Sequence, residues 1–131
     1  MSITLSASTR ALVDDRNYAT ISTINPDGSP HSSVMWIERD GDELVFSTLR
    51  GRQKERNLRR DPRVSVSVWQ RDKPEVYVEI RGTVTITEDT DRSVVERLAR
   101  KYLGGPYPEE SPDRVRVVLR VTPTKVTGNA A

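Results

Sequence analysis

The sequence has 131 residues, the length of one domain and too few for two of ordinary size. Its 21 Lys and Arg against 19 Asp and Glu leave a formal charge of +2, which argues against a coat for nucleic acid or for an anionic membrane. There is no cysteine, so disulfide frameworks, thiolate metal sites and cysteine nucleophiles all drop out.

No apolar run approaches the roughly 20 residues of a membrane span, and no basic-then-apolar start suggests a signal peptide. A soluble cytoplasmic protein is expected. Hydrophobic residues make up 34% of the chain, which is low for a lone domain with an unfavourable ratio of surface to volume. A second chain covering part of the apolar surface would remove that difficulty, so an oligomer is expected.

Val and Ile total 22 against eight Leu, with twelve Thr added, a bias that suits pleated strands. In chain order, a helix is expected over residues 8–16. Strands over 18–24 and 31–38 flank the turn Asn25-Pro26-Asp27-Gly28. A second hairpin turns at Asp40-Gly41-Asp42 into a strand over 44–48. A helix over 52–60 is stopped by Asp61-Pro62, and Val64, Val66 and Val68 mark a short strand ending at Trp69. Residues 76–87 then alternate in period two, with Val76, Val78, Ile80, Val84 and Ile86 on one face and Gly82 marking a bulge or close approach. A third helix starts after Asp89 or Thr90, buries Val94, Val95, Leu98 and Tyr102, and ends at Gly104-Gly105. After a Pro- and Glu-rich loop, Val115, Val117, Leu119 and Val121 form a last strand, opposed by Arg114, Arg116 and Arg120. The sum is a mainly β domain of about six antiparallel strands, mostly in meander order, with two or three short helices, which favours a barrel.

The charge is unevenly spread. Seven bases (Arg50, Arg52, Lys54, Arg56, Arg59, Arg60, Arg63) and two acids (Glu55, Asp61) give the segment 50–63 a charge of +5, leaving −3 for the rest. Arg50, Lys54 and Asn57 fall at helical spacing on one face. Gly51 and the unpaired N–H groups of the first turn sit at the positive end of the helix dipole. Arg52 offers a planar fork and Lys54 a point charge, a natural pair for a phosphate. The same pattern also fits a solvated helix with its charges in water. Nucleic acid is the weaker third reading, since no aromatic is interleaved with these bases for stacking.

Other chemistry is thin. His31 is the only histidine, so multi-histidine metal sites are excluded, and no Ser lies in a G-x-S-x-G elbow. The glycines form neither a dinucleotide fingerprint nor a phosphate-binding P-loop. Asp14-Asp15 and Glu109-Glu110 read as solvated pairs. If the protein is an enzyme, its reactive group is borrowed.

Three blocks make the sequence recognisable: Asn-Pro-Asp-Gly-Ser-Pro-His-Ser-Ser-Val-Met-Trp from Asn25, Asp-Gly-Asp-Glu-Leu-Val-Phe-Ser-Thr from Asp40, and Lys-Glu-Arg-Asn-Leu-Arg-Arg-Asp-Pro-Arg-Val from Lys54. They resemble the pyridoxamine 5′-phosphate oxidase-like proteins of the FMN-binding split β-barrel fold, above all the short members, found largely in actinobacteria, that use the deazaflavin coenzyme F420. The resemblance implies a homodimer with the cofactor ring in a groove between two barrels. It places Lys54 and Arg52 on the phosphate with Asn57 helping, and Ser47 and Thr48 along the same groove. Ser33, Val34, Met35 and Trp36 would flank the ring, with His31 at its edge and Trp69 or Tyr77 reaching across from the second copy. It implies a reductase passing hydride to a small unsaturated molecule, with no metal and the final proton taken from solvent, a Ser, His31 or a Tyr. An FMN oxidoreductase of the same fold and a carrier module without turnover are the alternatives. Members that oxidise pyridoxamine phosphate continue into a C-terminal segment that grips the substrate; this sequence stops soon after Gly128, so vitamin B6 oxidation is not expected.

Overall fold

Ser6 begins the first element of the computed structural model, which describes residues 3–131. Its hydroxyl accepts the Thr9 N–H at 3.2 Å and so caps α1 (Ala7–Asp14). Strand β1 (Ala19–Ile24) follows and turns back into β2 (Pro30–Met35), pairing Ala19 with Met35 and Ile24 with Pro30. Gly28 takes a φ of 88° in this turn, with its N–H on the Asn25 carbonyl at 2.9 Å.

The strand expected over 31–38 is in fact two. After β2 the chain leaves the sheet at Trp36 and Ile37, and β3 (Glu38–Asp40) then forms a hairpin with β4 (Glu43–Leu49). The break has a physical cause. Ile37 is fully buried, its N–H donates to the Tyr102 hydroxyl at 3.2 Å, and its carbonyl accepts Lys101 Nζ at 2.7 Å. Side chains of a distant helix thus take the backbone groups that a sheet neighbour would otherwise satisfy.

Helix α2 (Gln53–Arg60) leads into β5 (Arg63–Gln70) and β6 (Lys73–Glu88), then α3 (Ser93–Leu103) and β7 (Arg116–Thr127). Seven strands therefore form one antiparallel sheet in the order β2-β1-β5-β6-β7-β4-β3, one strand more than expected. The run β5-β6-β7 is a meander, whereas β1 beside β5 and β4 beside β7 are not consecutive. Because β2 and β3 stand at opposite ends of that order yet are joined through Trp36 and Ile37 alone, the curled sheet closes through the chain itself. This is a split barrel.

The interior holds Ile21 and Phe46 together with Val66, Ile80 and Leu119, the last three on the faces anticipated from period two. Gly82 sits at the bulge in β6, where a Cβ would lie 2.2 Å from the Thr122 carbonyl oxygen. Pro123 stands opposite it, which lets β7 run on to Thr127, past its expected end. A second, smaller cluster lies outside the barrel. There α3 lays Val94, Leu98 and Tyr102 on Val45 and Val118, with Trp36 packed against them. Asp89 caps α3 by accepting the Val94 and Val95 N–H groups, while Arg92 takes a left-handed conformation at the cap. Among the described residues no helix is long and apolar enough to cross a membrane.

Candidate functional site

The basic segment resolves into two classes of cation. Arg50 lies ahead of α2 rather than on its face, and pairs with Glu88 at 3.0 Å. Arg56 donates to the Gly51 carbonyl at 2.7 Å and to Gln53, Arg59 pairs with the buried Glu55, Arg60 donates to the Ile24 carbonyl, and Arg63 pairs with Asp61 at 2.8 Å. Five of the seven bases are thereby committed to the protein's own groups. Arg52 and Lys54 have no ion pair or side-chain hydrogen bond among the described residues.

Arg52 occupies the N-cap of α2 in extended geometry and offers no cap of its own, while Glu55 reaches back to accept the Gly51 N–H at 2.8 Å. The Gln53 and Lys54 amides find no acceptor among the described residues. Two side-chain cations and the open first turn of a helix thus converge, which is the composition of an anion site. Lys54 is half-buried. Burial, and secondarily the charge of Arg52, push its pKa below the ordinary 10.5. An arriving anion would relieve both effects.

Arg52 and Lys54 stand on the wall of a cavity of about 310 Å³, within the size range of small-molecule sites. Ser47, Thr48 and Leu49 of β4 form one side, and Val34, Met35 and Trp36 at the end of β2 form another. Val95 and Leu98 of α3 come from above, and Tyr18, Tyr107 and Arg116 complete the lining. Part of the lining is aromatic. Trp36 stacks on Tyr102 with centroids 5.3 Å apart and planes 4° apart, and meets Tyr107 edge-on at 6.1 Å. Tyr102 is the anchor of that stack. Its hydroxyl donates to the Asn17 carbonyl, and burial pushes its pKa up to about 12.

Of the twelve residues singled out from sequence, the cavity brings together Val34, Met35, Trp36, Ser47, Thr48, Arg52 and Lys54. Asn57 is a correction. It is fully buried, its amide donates to Thr23 at 3.0 Å and Asn25 at 2.9 Å, and its carbonyl accepts from Gln53 at 2.8 Å. Those bonds fasten α2 to β1 and leave nothing for a phosphate. His31 lies opposite Thr23 and lines a separate groove with Gln53 and Arg56. Ser33 lies opposite Ile21, and both Ser33 Oγ and His31 Nδ1 are buried atoms without a partner among the described residues. Trp69 and Tyr77 pair across β5 and β6, away from this cavity.

The sequence reading missed Arg116, Tyr107 and the α3 residues of the lining. It also took Glu110 for a solvated acid. Instead Glu110 is only 9% exposed, accepting Arg116 Nε at 2.8 Å and Arg92 Nη1 at 2.9 Å. Arg116 first, and Arg92 after it, hold its pKa down at about 2. The signals available were a tyrosine between two prolines and an arginine on the polar side of the last strand, both weak without the fold. Among the described residues no group of three or more His, Asp or Glu side chains converges as metal ligands would.

Comparison with known proteins agrees with this architecture. The family model for pyridoxamine 5′-phosphate oxidase matches residues 5–130. An F420 reductase of known structure is 34% identical, with a TM-score of 0.82 over 90% of this chain and 94% of its own. A conserved hypothetical protein, Rv2991 from Mycobacterium tuberculosis, is 27% identical, with a TM-score of 0.69 over 95% and 84% of the two chains. General Stress Protein 26 from Bacillus anthracis has a TM-score of 0.69 over 91% and 88%, and at 22% identity it speaks for the fold alone. No curated protein matches the sequence.

Proposed function

The chain belongs to the pyridoxamine 5′-phosphate oxidase family, and on that premise we propose that it is an oxidoreductase that binds coenzyme F420 and passes hydride from the reduced deazaflavin to a small unsaturated organic molecule. The observation that carries the proposal is the pair Arg52 and Lys54. They are the two bases of a seven-base segment left without a side-chain partner among the described residues, and both stand on the cavity that also holds the aromatic wall. A ligand that carries both an anionic group and a planar ring matches that combination. The 34% identity to an F420 reductase favours the deazaflavin over FMN, which also carries a phosphate.

In this reading Arg52, Lys54 and the first turn of α2 bind the phosphate, and Trp36 with Tyr18 gives the ring a flat apolar surface. Ser47 and Thr48 supply hydroxyls along the edge. The reduced cofactor supplies the hydride when bound, and the chain supplies binding, orientation and a water-poor wall. The site is completed in a homodimer, where Trp69 or Tyr77 of the partner subunit would cover the ring.

The test is a titration of the purified protein with coenzyme F420 and, separately, with FMN, followed by cofactor fluorescence. Saturable F420 binding is expected, with FMN weaker by about tenfold or more, roughly 1.4 kcal/mol. Tighter FMN binding would change the cofactor but keep the class; binding of neither would end the proposal.

A further inference from the structure

The geometry points to Tyr107 as the proton donor of this cavity, with Arg116 as the positioning residue that presents it. The inference rests on the oxidoreductase reading above. A hydride added to an unsaturated substrate leaves an electron pair on the neighbouring atom, and that atom must take a proton. Four hydroxyls line the cavity, those of Tyr18, Ser47, Thr48 and Tyr107. Ser and Thr are poor acids, and of the two tyrosines only Tyr107 has a cation bonded to its oxygen among the described residues.

Tyr107 differs in how it is held. Arg116 Nη2 donates to its hydroxyl oxygen at 2.9 Å, and the same guanidinium lies 4.8 Å from the ring centroid. Its backbone N–H is fixed on the Glu96 carboxylate at 3.2 Å. The fork of Arg116 is itself immobilised. Nε and Nη2 grip Glu110 at 2.8 and 3.0 Å, which leaves the second Nη2 proton aimed at Tyr107. With a lone pair of the Tyr107 oxygen engaged in this way, its own proton has no acceptor among the described residues. It is free for a ligand in the cavity. A guanidinium on the oxygen is also what stabilises the phenolate left behind.

The step balances. A hydride from the reduced cofactor bonds to one atom of the substrate's double bond, and the π pair moves to the other atom. That atom takes the proton from Tyr107 Oη as the O–H bond breaks. The tyrosinate stays on Arg116 and regains a proton from water. The substrate gains two hydrogens and the cofactor leaves oxidised.

The test uses 4-dimethylaminocinnamaldehyde, an unsaturated aldehyde whose absorption band moves to the red when its carbonyl accepts a hydrogen bond, both as an optical probe and as a substrate with reduced F420. Wild type should shift the band. Tyr107→Phe should lose the shift, bind oxidised F420 within about twofold of wild type, and turn over the aldehyde about 100-fold or more slowly. Arg116→Gln should lower kcat with KM nearly unchanged, and Arg116→Lys should recover part of the loss. A band shift kept by Tyr107→Phe, its turnover unchanged, or no shift with wild type overturns the donor role. Wild type that binds neither F420 nor FMN overturns the oxidoreductase reading and the donor role with it, a result distinct from the others.

Discussion

Lys54 is held in a state that its own chemistry disfavours. Its ammonium is half out of water and beside Arg52, with no anion among the described residues to offset either effect, so its pKa lies below 10.5. The folded chain therefore holds the Lys54 proton less tightly than the unfolded chain does. Its charge opposes folding below the lowered pKa, and that opposition fades as pH rises from there to 10.5. Binding reverses the balance, since a phosphate favours the charged form. Lys54→Met should accordingly raise the melting temperature of the cofactor-free protein while weakening cofactor binding by about 1–3 kcal/mol, the scale of a lost charge-assisted hydrogen bond. Thermal unfolding and fluorescence titration read the two effects separately, and an unchanged affinity would remove Lys54 from the site. The density of bases around it was readable from the sequence. That Arg50 and Arg60 are engaged elsewhere was not, because Glu88 and Ile24 had to be brought alongside to occupy them.

At the scale of elements, legibility followed the range of the interactions. The buried faces of β5 and β6 are set by residues two apart, and Val64, Val66, Val68, Val78 and Ile80 are buried as their alternation says. The break between β2 and β3 was hidden because Met35 and Ile37 keep the same alternation, while the group that interrupts the strand, Tyr102, lies 65 residues from Ile37. Val118 sits on the polar side of β7 because α3 covers it, again a long-range fact. The segment from α3 to β7 was the least readable part of the site. Glu110 ties it down between Arg92 and Arg116. The unfolded chain protonates Glu110 near 4.5 and the folded chain only at about 2. Its stabilisation is thus complete above about pH 5 and lost as pH falls from 4.5 towards 2. Glu110→Gln should cost about 1–3 kcal/mol at neutral pH, from the lost charge-assisted hydrogen bonds, and progressively less in acid. Urea unfolding at neutral pH and near pH 3 would show the gap narrowing; a gap of equal size at both would mean that the carboxylate charge is not what ties the segment down.

For the whole molecule, the low apolar content and the exposed side of the sheet point the same way. Val34, Thr20, Ser67 and Glu79 form one row across β2, β1, β5 and β6, and Ser32, Ser22, Ser65 and Arg81 form the next. Small hydroxyl side chains make up five of these eight residues, so another surface can approach closely. Exposed apolar residues stand on this side, Val34 at 63% exposure and Tyr77 at 41%, with Trp69 paired to Tyr77. Val34 also lines the cavity, which therefore opens towards this face. A second copy seated here would bury Val34 and close the cavity in one step, joining association to cofactor binding. Light scattering at micromolar concentration should give twice the 14.8 kDa chain mass. Val34→Asp places a charge in the middle of the contact, where an unpaired buried carboxylate costs several kcal/mol, and should give a folded monomer with weakened cofactor binding. If wild type scatters as a monomer and still binds the cofactor tightly, the cavity is complete within one chain and the contribution of Trp69 or Tyr77 from a second copy falls away.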